Sequence, residues 1–147
     1  PLFGRIMRNL DPITVGRKNP REDFKDVMEK GARCLKEGMS VILFPQSTRS
    51  SYFAPAEFNS MAVKLAKRAG APIIPVALKT DFQGINRIHA IRDFGPLNRS
   101  KRIYFKFGAP VRVEGHGREA HEQIVAFITN QLREWGVEIR GDLKAGE

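Results

Sequence analysis

Hydrophobic positions along the chain alternate between a helical period and short apolar runs. From Phe24 the apolar residues Phe24, Val27, Met28, Ala32 and Leu35 recur on one helix face. The spacing predicts a helix opened by Pro20 and Glu22-Asp23 and ended at Gly38. A second helix is predicted over about 56–69, with Phe58, Met61, Ala62, Leu65, Ala66 and Ala69 on one side and Lys64, Lys67 and Arg68 on the other. Gly70 supplies its stop. A third spans 118–135, where Ala120, Ile124, Phe127, Ile128, Gln131 and Trp135 share a side. Between these lie short β-prone runs at 13–16, 41–44, 73–78 and 102–108, with 110–113 a short continuation. The run at 41–44, bounded by Gly38 and Pro45, reads as a buried strand.

This alternation of strand and helix predicts an α/β chain with a mostly parallel central sheet flanked by helices. It reads as one domain over 1–136 followed by a mobile tail over 137–147, where the sequence becomes polar and glycine-containing. Residues 2–10 mix Leu2, Phe3, Ile6, Met7 and Leu10 with Arg5 and Arg8, a short amphipathic helix that either packs on the sheet or forms a basic, membrane-facing lip. Residues 81–100 are a long polar connection with Gly84, Gly95 and Pro96.

Charge changes the picture. The formal net charge of +9 points to an anionic partner: a phosphate head group, a membrane surface or nucleic acid. The single cysteine, Cys34, excludes an internal disulfide and falls within a helical pattern as a small packing residue. With three dispersed histidines, a metal site has no support. No apolar run approaches the ~20 residues that cross a bilayer.

The richest chemistry lies in Phe44-Pro45-Gln46-Ser47-Thr48-Arg49-Ser50. An apolar run ending in a Pro turn, followed by hydroxyl side chains and an Arg, delivers several donors to one spot. Ligands of open α/β sheets bind at the carboxyl ends of strands, and the Arg fork matches phosphate. The spacing therefore suits a phosphate or carboxylate pocket. It equally suits a polar loop with a surface Arg.

The run resembles the F-P-E-G-T-R-S signature of the glycerolipid acyltransferases, the family that includes 1-acylglycerol-3-phosphate acyltransferase. Ile13-Thr14-Val15-Gly16-Arg17 is similar to that family's apolar strand ending in Arg, and Ala71-Pro72-Ile73-Ile74-Pro75-Val76-Ala77-Leu78 to its V-P-V-A-type strand. Gln46-Ser47 stands where the family usually has Glu-Gly. The family's catalytic H-x4-D precedes the Arg block. None of His89, His116 and His121 is followed by Asp at that spacing, Asp93 falling one position short of it after His89.

The resemblance implies a glycerol-3-phosphate acyltransferase-like fold. It also implies an O-acyltransferase of phospholipid biosynthesis, moving a fatty acyl group from acyl-CoA or acyl carrier protein to a lysophospholipid hydroxyl. Arg49 would contact the acceptor's phosphate, with Arg17 as a second clamp; Gln46, Ser47 and Thr48 would add hydrogen bonds. No catalytic residue is assigned within the chain: the His and Asp of H-x4-D are expected upstream of Pro1, leaving an acceptor-binding part that is inactive alone. No metal or cofactor is implied beyond the acyl donor. The implied partners are the lysophospholipid acceptor, the donor and an anionic membrane surface, on whose cytoplasmic side the protein would sit, peripheral or anchored. A basic stripe of Lys64, Lys67 and Arg68 is either a solvated helix face or part of that docking surface. The rival reading is a non-catalytic basic module for anionic lipid or nucleic acid. Against nucleic acid, the ten Phe, two Tyr and one Trp fall mostly at core-like positions, with no stacking pattern for single strands.

Overall fold

A computed structural model describes residues 12–13, 19–46, 50–84 and 95–141. The expected helix at 2–10 and strand at 13–16 lie wholly or mostly outside these residues. The elements are α1 (Pro20–Lys36), β1 (Tyr52–Phe53), a 3-10 turn (Pro55–Glu57), α2 (Met61–Ala69), β2 (Val76–Lys79), β3 (Tyr104–Phe107), α3 (Arg118–Glu134) and β4 (Glu138–Ile139). The chain is mixed α/β. Its described strands form a parallel pair, β1 with β4, and an antiparallel pair, β2 with β3.

Helix α1 forms where its end signals sit. Asn19 caps it by accepting a hydrogen bond from the Arg21 N–H at 3.1 Å, and Pro20 takes the first turn, where its missing N–H costs nothing. Glu22 and Asp23 at the start, with Arg33 and Lys36 at the end, complement the helix dipole. Its buried positions Val27, Met28, Gly31 and Ala32 face α2. There Leu65 sits so close that a Cβ on Gly31 would come within 2.9 Å of its Cδ2.

The main core surrounds α3. Phe53, Val63, Val111, Ala120, Ile124, Ile128 and Leu132 are buried together, with Phe58, Ile73, Phe127, Trp135 and Ile139 packed around them. Gly117 precedes α3 at φ +78°, and a Cβ there would approach Val63 to 2.5 Å, so both space and backbone call for glycine. The β2–β3 pair lies against α3 through one face: Ala77 is fully buried, Lys79 Nζ donates to the Trp135 carbonyl at 2.7 Å, and the Tyr104 and Trp135 rings are 5.5 Å apart. The register Val76↔Phe107 and Leu78↔Phe105 puts the other four side chains on the opposite face, where both Phe rings are exposed.

Three expectations need correction. The run 41–44 is extended but carries no strand pairing among the described residues. Val41 and Leu43 pack on Met28, Ala32 and Leu65, while Ile42 and Phe44 stand 80% and 76% exposed. Its side chains thus alternate, as on a chain with one covered face. Helix α2 begins at Met61 rather than near Ala56, because Pro55–Glu57 turns as a 3-10 segment and Asn59 accepts from the Met61 N–H at 3.1 Å. After Gly136, Glu138–Ile139 pairs with Tyr52–Phe53, and the Arg140 N–H bonds the Phe53 carbonyl at 2.9 Å.

Candidate functional site

The signature run is entered from α1. The helix closes with Gly38 at φ +81° and a Met39 N–H bond to the Cys34 carbonyl at 3.0 Å, after which the chain extends to Pro45. Leu43 and Val41 hold this arm down on the second, smaller cluster. The Pro45 carbonyl then accepts from Asn59 Nδ2 at 2.5 Å, with the Asn59 N–H at 3.5 Å from the same oxygen. Gln46 is half-buried at the bend that follows. On the far side, Ser50 Oγ accepts from the Tyr52 N–H at 3.1 Å and leads directly into β1.

Both flanks of the run are therefore placed by the fold, at the junction of the extended arm, the start of α2 and the β1–β4 pair. Of the anticipated site residues, Gln46 sits at this junction. Arg17, Ser47, Thr48 and Arg49 lie outside the described residues, and so does any distance between Arg17 and Arg49. Asn59 was not anticipated. Its signal was an Asn-Ser pair just after Pro55, a cap pattern that a helix starting at Ala56 conceals.

Other candidate groups are engaged elsewhere. Lys67 Nζ donates to the Gly115 carbonyl at 2.7 Å, Lys64 lies 5.4 Å from the centre of the Phe24 ring, and Arg68 lines an open groove between α1 and α2 with Glu29, Arg33 and Lys36. The basic stripe is thus partly committed to packing. His121 stacks obliquely on Phe58 at 5.9 Å, and its Nδ1 has no partner among the described residues. His116 is exposed. Among the described residues no group of His, Cys, Asp and Glu could hold a metal ion, and no helix is long and apolar enough to cross a membrane.

The electrostatics of the exit flank rest on a surface pair. Arg140 Nε donates to Glu138 Oε1 at 2.7 Å and its guanidinium lies 4.0 Å from the centre of the Tyr52 ring. The hydrogen bond from Arg140 holds the Glu138 carboxyl below its usual range, and the same bond raises the Arg140 guanidinium. Arg118 is raised likewise by its bond to Glu122 at 2.8 Å.

Comparison with known proteins gives this geometry a family. The acyltransferase family model matches residues 1–79, more than half of the 147, and includes the whole signature run. The chain belongs to the acyltransferase family. A 1-acyl-sn-glycerol-3-phosphate acyltransferase of Pseudomonas aeruginosa is 35% identical over 77 residues, 52% of this chain and 30% of that protein. Proteins of the same name from Escherichia coli and Haemophilus influenzae are 24% and 22% identical, over 91% and 99% of this chain and 51% and 58% of their own lengths. The chain thus spans less than two thirds of each of these acyltransferases. No solved structure matches it.

Proposed function

We propose that this acyltransferase chain carries the acceptor-binding part of a 1-acylglycerol-3-phosphate O-acyltransferase of phospholipid biosynthesis. The observation that carries the reading is the family match across residues 1–79, within which the run 44–50 stands between two flanks that the fold fixes. Arg49 forks onto the acceptor's phosphate, Arg17 adds a second guanidinium, and Gln46, Ser47 and Thr48 supply neutral hydrogen bonds. Gln46 can donate as well as accept, which suits an anion better than a carboxylate at the same place.

Held in this way, the acceptor hydroxyl is presented to the thioester of acyl-CoA or acyl carrier protein, so the chain's own contribution is orientation. Removing the hydroxyl proton falls to the His of an H-x4-D motif, which none of the three histidines here provides. The finer fold we infer is glycerol-3-phosphate acyltransferase-like, with a mostly parallel sheet. A lipid acceptor and a net charge of +9 favour work at the cytoplasmic side of an anionic membrane, peripheral or anchored.

The test is calorimetric binding of short-chain lysophosphatidic acid to the 147-residue chain and its Arg49→Ala variant. One charged hydrogen bond contributes about 1.5–3 kcal/mol, so affinity should fall by roughly ten- to a hundredfold. Arg49→Lys should recover only part of it, since an ammonium lacks the fork. Equal affinity for Arg49→Ala, alongside oligonucleotide binding with a steep salt dependence, would replace the acyltransferase acceptor site with a nucleic-acid surface.

A further inference from the structure

We propose that Asn59 is a positioning residue for the acceptor site, fixing the point at which the chain enters the signature run. The inference rests on reading that run as the phosphate site. One side-chain amide does two jobs here. Its Nδ2 donates to the Pro45 carbonyl at 2.5 Å, and its Oδ1 accepts from the Met61 N–H at 3.1 Å, the first residue of α2.

The chemistry of Pro45 makes the first of these bonds consequential. Proline has no N–H, so the carbonyl is the sole backbone hydrogen-bonding group that Pro45 itself offers, and it takes the Asn59 side-chain amide at 2.5 Å and, more loosely, the Asn59 N–H at 3.5 Å. That carbonyl shares a rigid plane with the Gln46 N–H. Fixing the one therefore fixes the direction in which the Gln46 N–H points.

The holder is itself well anchored. Asn59 follows Phe58, whose ring meets Phe53 edge-on at 5.9 Å in the main core, and it precedes α2, which is locked by Val63 and by Leu65 against Gly31. The entrance of the run is thus referenced to the rigid core rather than to the thin arm that leads into it. Of the expected site residues, Gln46 is thereby held at the entrance, and a donor placed before the ligand arrives loses less freedom on binding.

Asn59→Asp separates the two jobs. A carboxylate still accepts from the Met61 N–H, and its charge suits a helix N-terminus. It cannot donate to Pro45, whose carbonyl it repels. With Asn59→Asp in the 147-residue chain, the melting temperature should stay within about 3 °C of the wild type, while affinity for short-chain lysophosphatidic acid falls about five- to tenfold. A monoacylglycerol without phosphate should bind unchanged. Asn59→Ala should weaken phosphate binding similarly and also lower the melting temperature, since the bond from the Met61 N–H is lost with it.

Wild-type affinity in Asn59→Asp, with binding still lost in Arg49→Ala, overturns the positioning role and leaves the acceptor site intact. A wild-type chain that binds no lysophosphatidic acid, with Arg49→Ala indistinguishable from it, overturns both.

Discussion

The parts of the molecule built around α3 and around α1 bury their apolar positions to different depths. On the α3 side, seven buried side chains come from four separated stretches of sequence, and Phe53 is 2% exposed. On the α1 side, the core cluster is just Met28, Ala32 and Leu65, with half-covered Leu35, Val41, Leu43 and Ala69 around them. Ile42 and Phe44 turn away from that cluster altogether. The arm leading into the signature run thus rests on the weaker packing, whereas its two flanks are hydrogen-bonded toward the stronger. Stability and candidate chemistry sit in different places, with Asn59 and the β1–β4 pair spanning the gap.

Substitution should separate the two sides. Phe53→Ala removes a ring from the densest packing and should cost about 3–5 kcal/mol in denaturant unfolding. A cost near that of a surface change would mean that the α3 side is not the stability core. Leu43→Ala, on the thinner side, should cost only about 1–2 kcal/mol, because the leucine is half-covered to begin with. If the two losses proved equal, the contrast between the two sides would vanish.

The smallest effect belongs to the exit flank. Since Arg140 lowers the Glu138 carboxyl, that group stabilises the fold above its unfolded value, and the contribution fades as pH falls from about 4.3 through the lowered native value. Thermal melts of wild type and Glu138→Gln should therefore differ slightly at neutral pH and converge in acid. A difference that grew in acid would reverse the assigned direction. The pair is exposed, so the shift should be small beside either core substitution.

The helices were legible because their signals are local. Pro20, the Glu22-Asp23 pair and Gly38 bracket α1, Gly70 ends α2 in the left-handed conformation, and the spacing from Ala120 to Trp135 outlines α3. Of the strands, the runs at 73–78 and 102–108 were legible and hold β2 and β3, whereas the other pairings were not, because pairing depends on a partner. Val41 to Phe44 has the composition of a buried strand, yet only alternate side chains are covered. Glu138-Ile139 lies in the alternation Val137-Glu138-Ile139, too short to read as a strand alone, and it pairs with Tyr52-Phe53 alongside. The motif marked a candidate region without structure, and the structure supplied what motif reading lacks: the bond from Asn59 to Pro45. Periodicity had absorbed Asn59 into a helix.

The parallel pairing of β1 with β4 also bears on the order in which the site can be assembled. Tyr52 and Phe53, immediately after the signature run, find their strand partners in Glu138 and Ile139, and no nearer segment among the described residues pairs with them. A ribosome must therefore release α3 and β4 before the run's exit can be secured, and that contact closes a long loop. Until then the entrance alone is held, by the local bond from Asn59 to Pro45. The nascent chain would hold the entrance of the signature run first, and its exit only once β4 has emerged and paired.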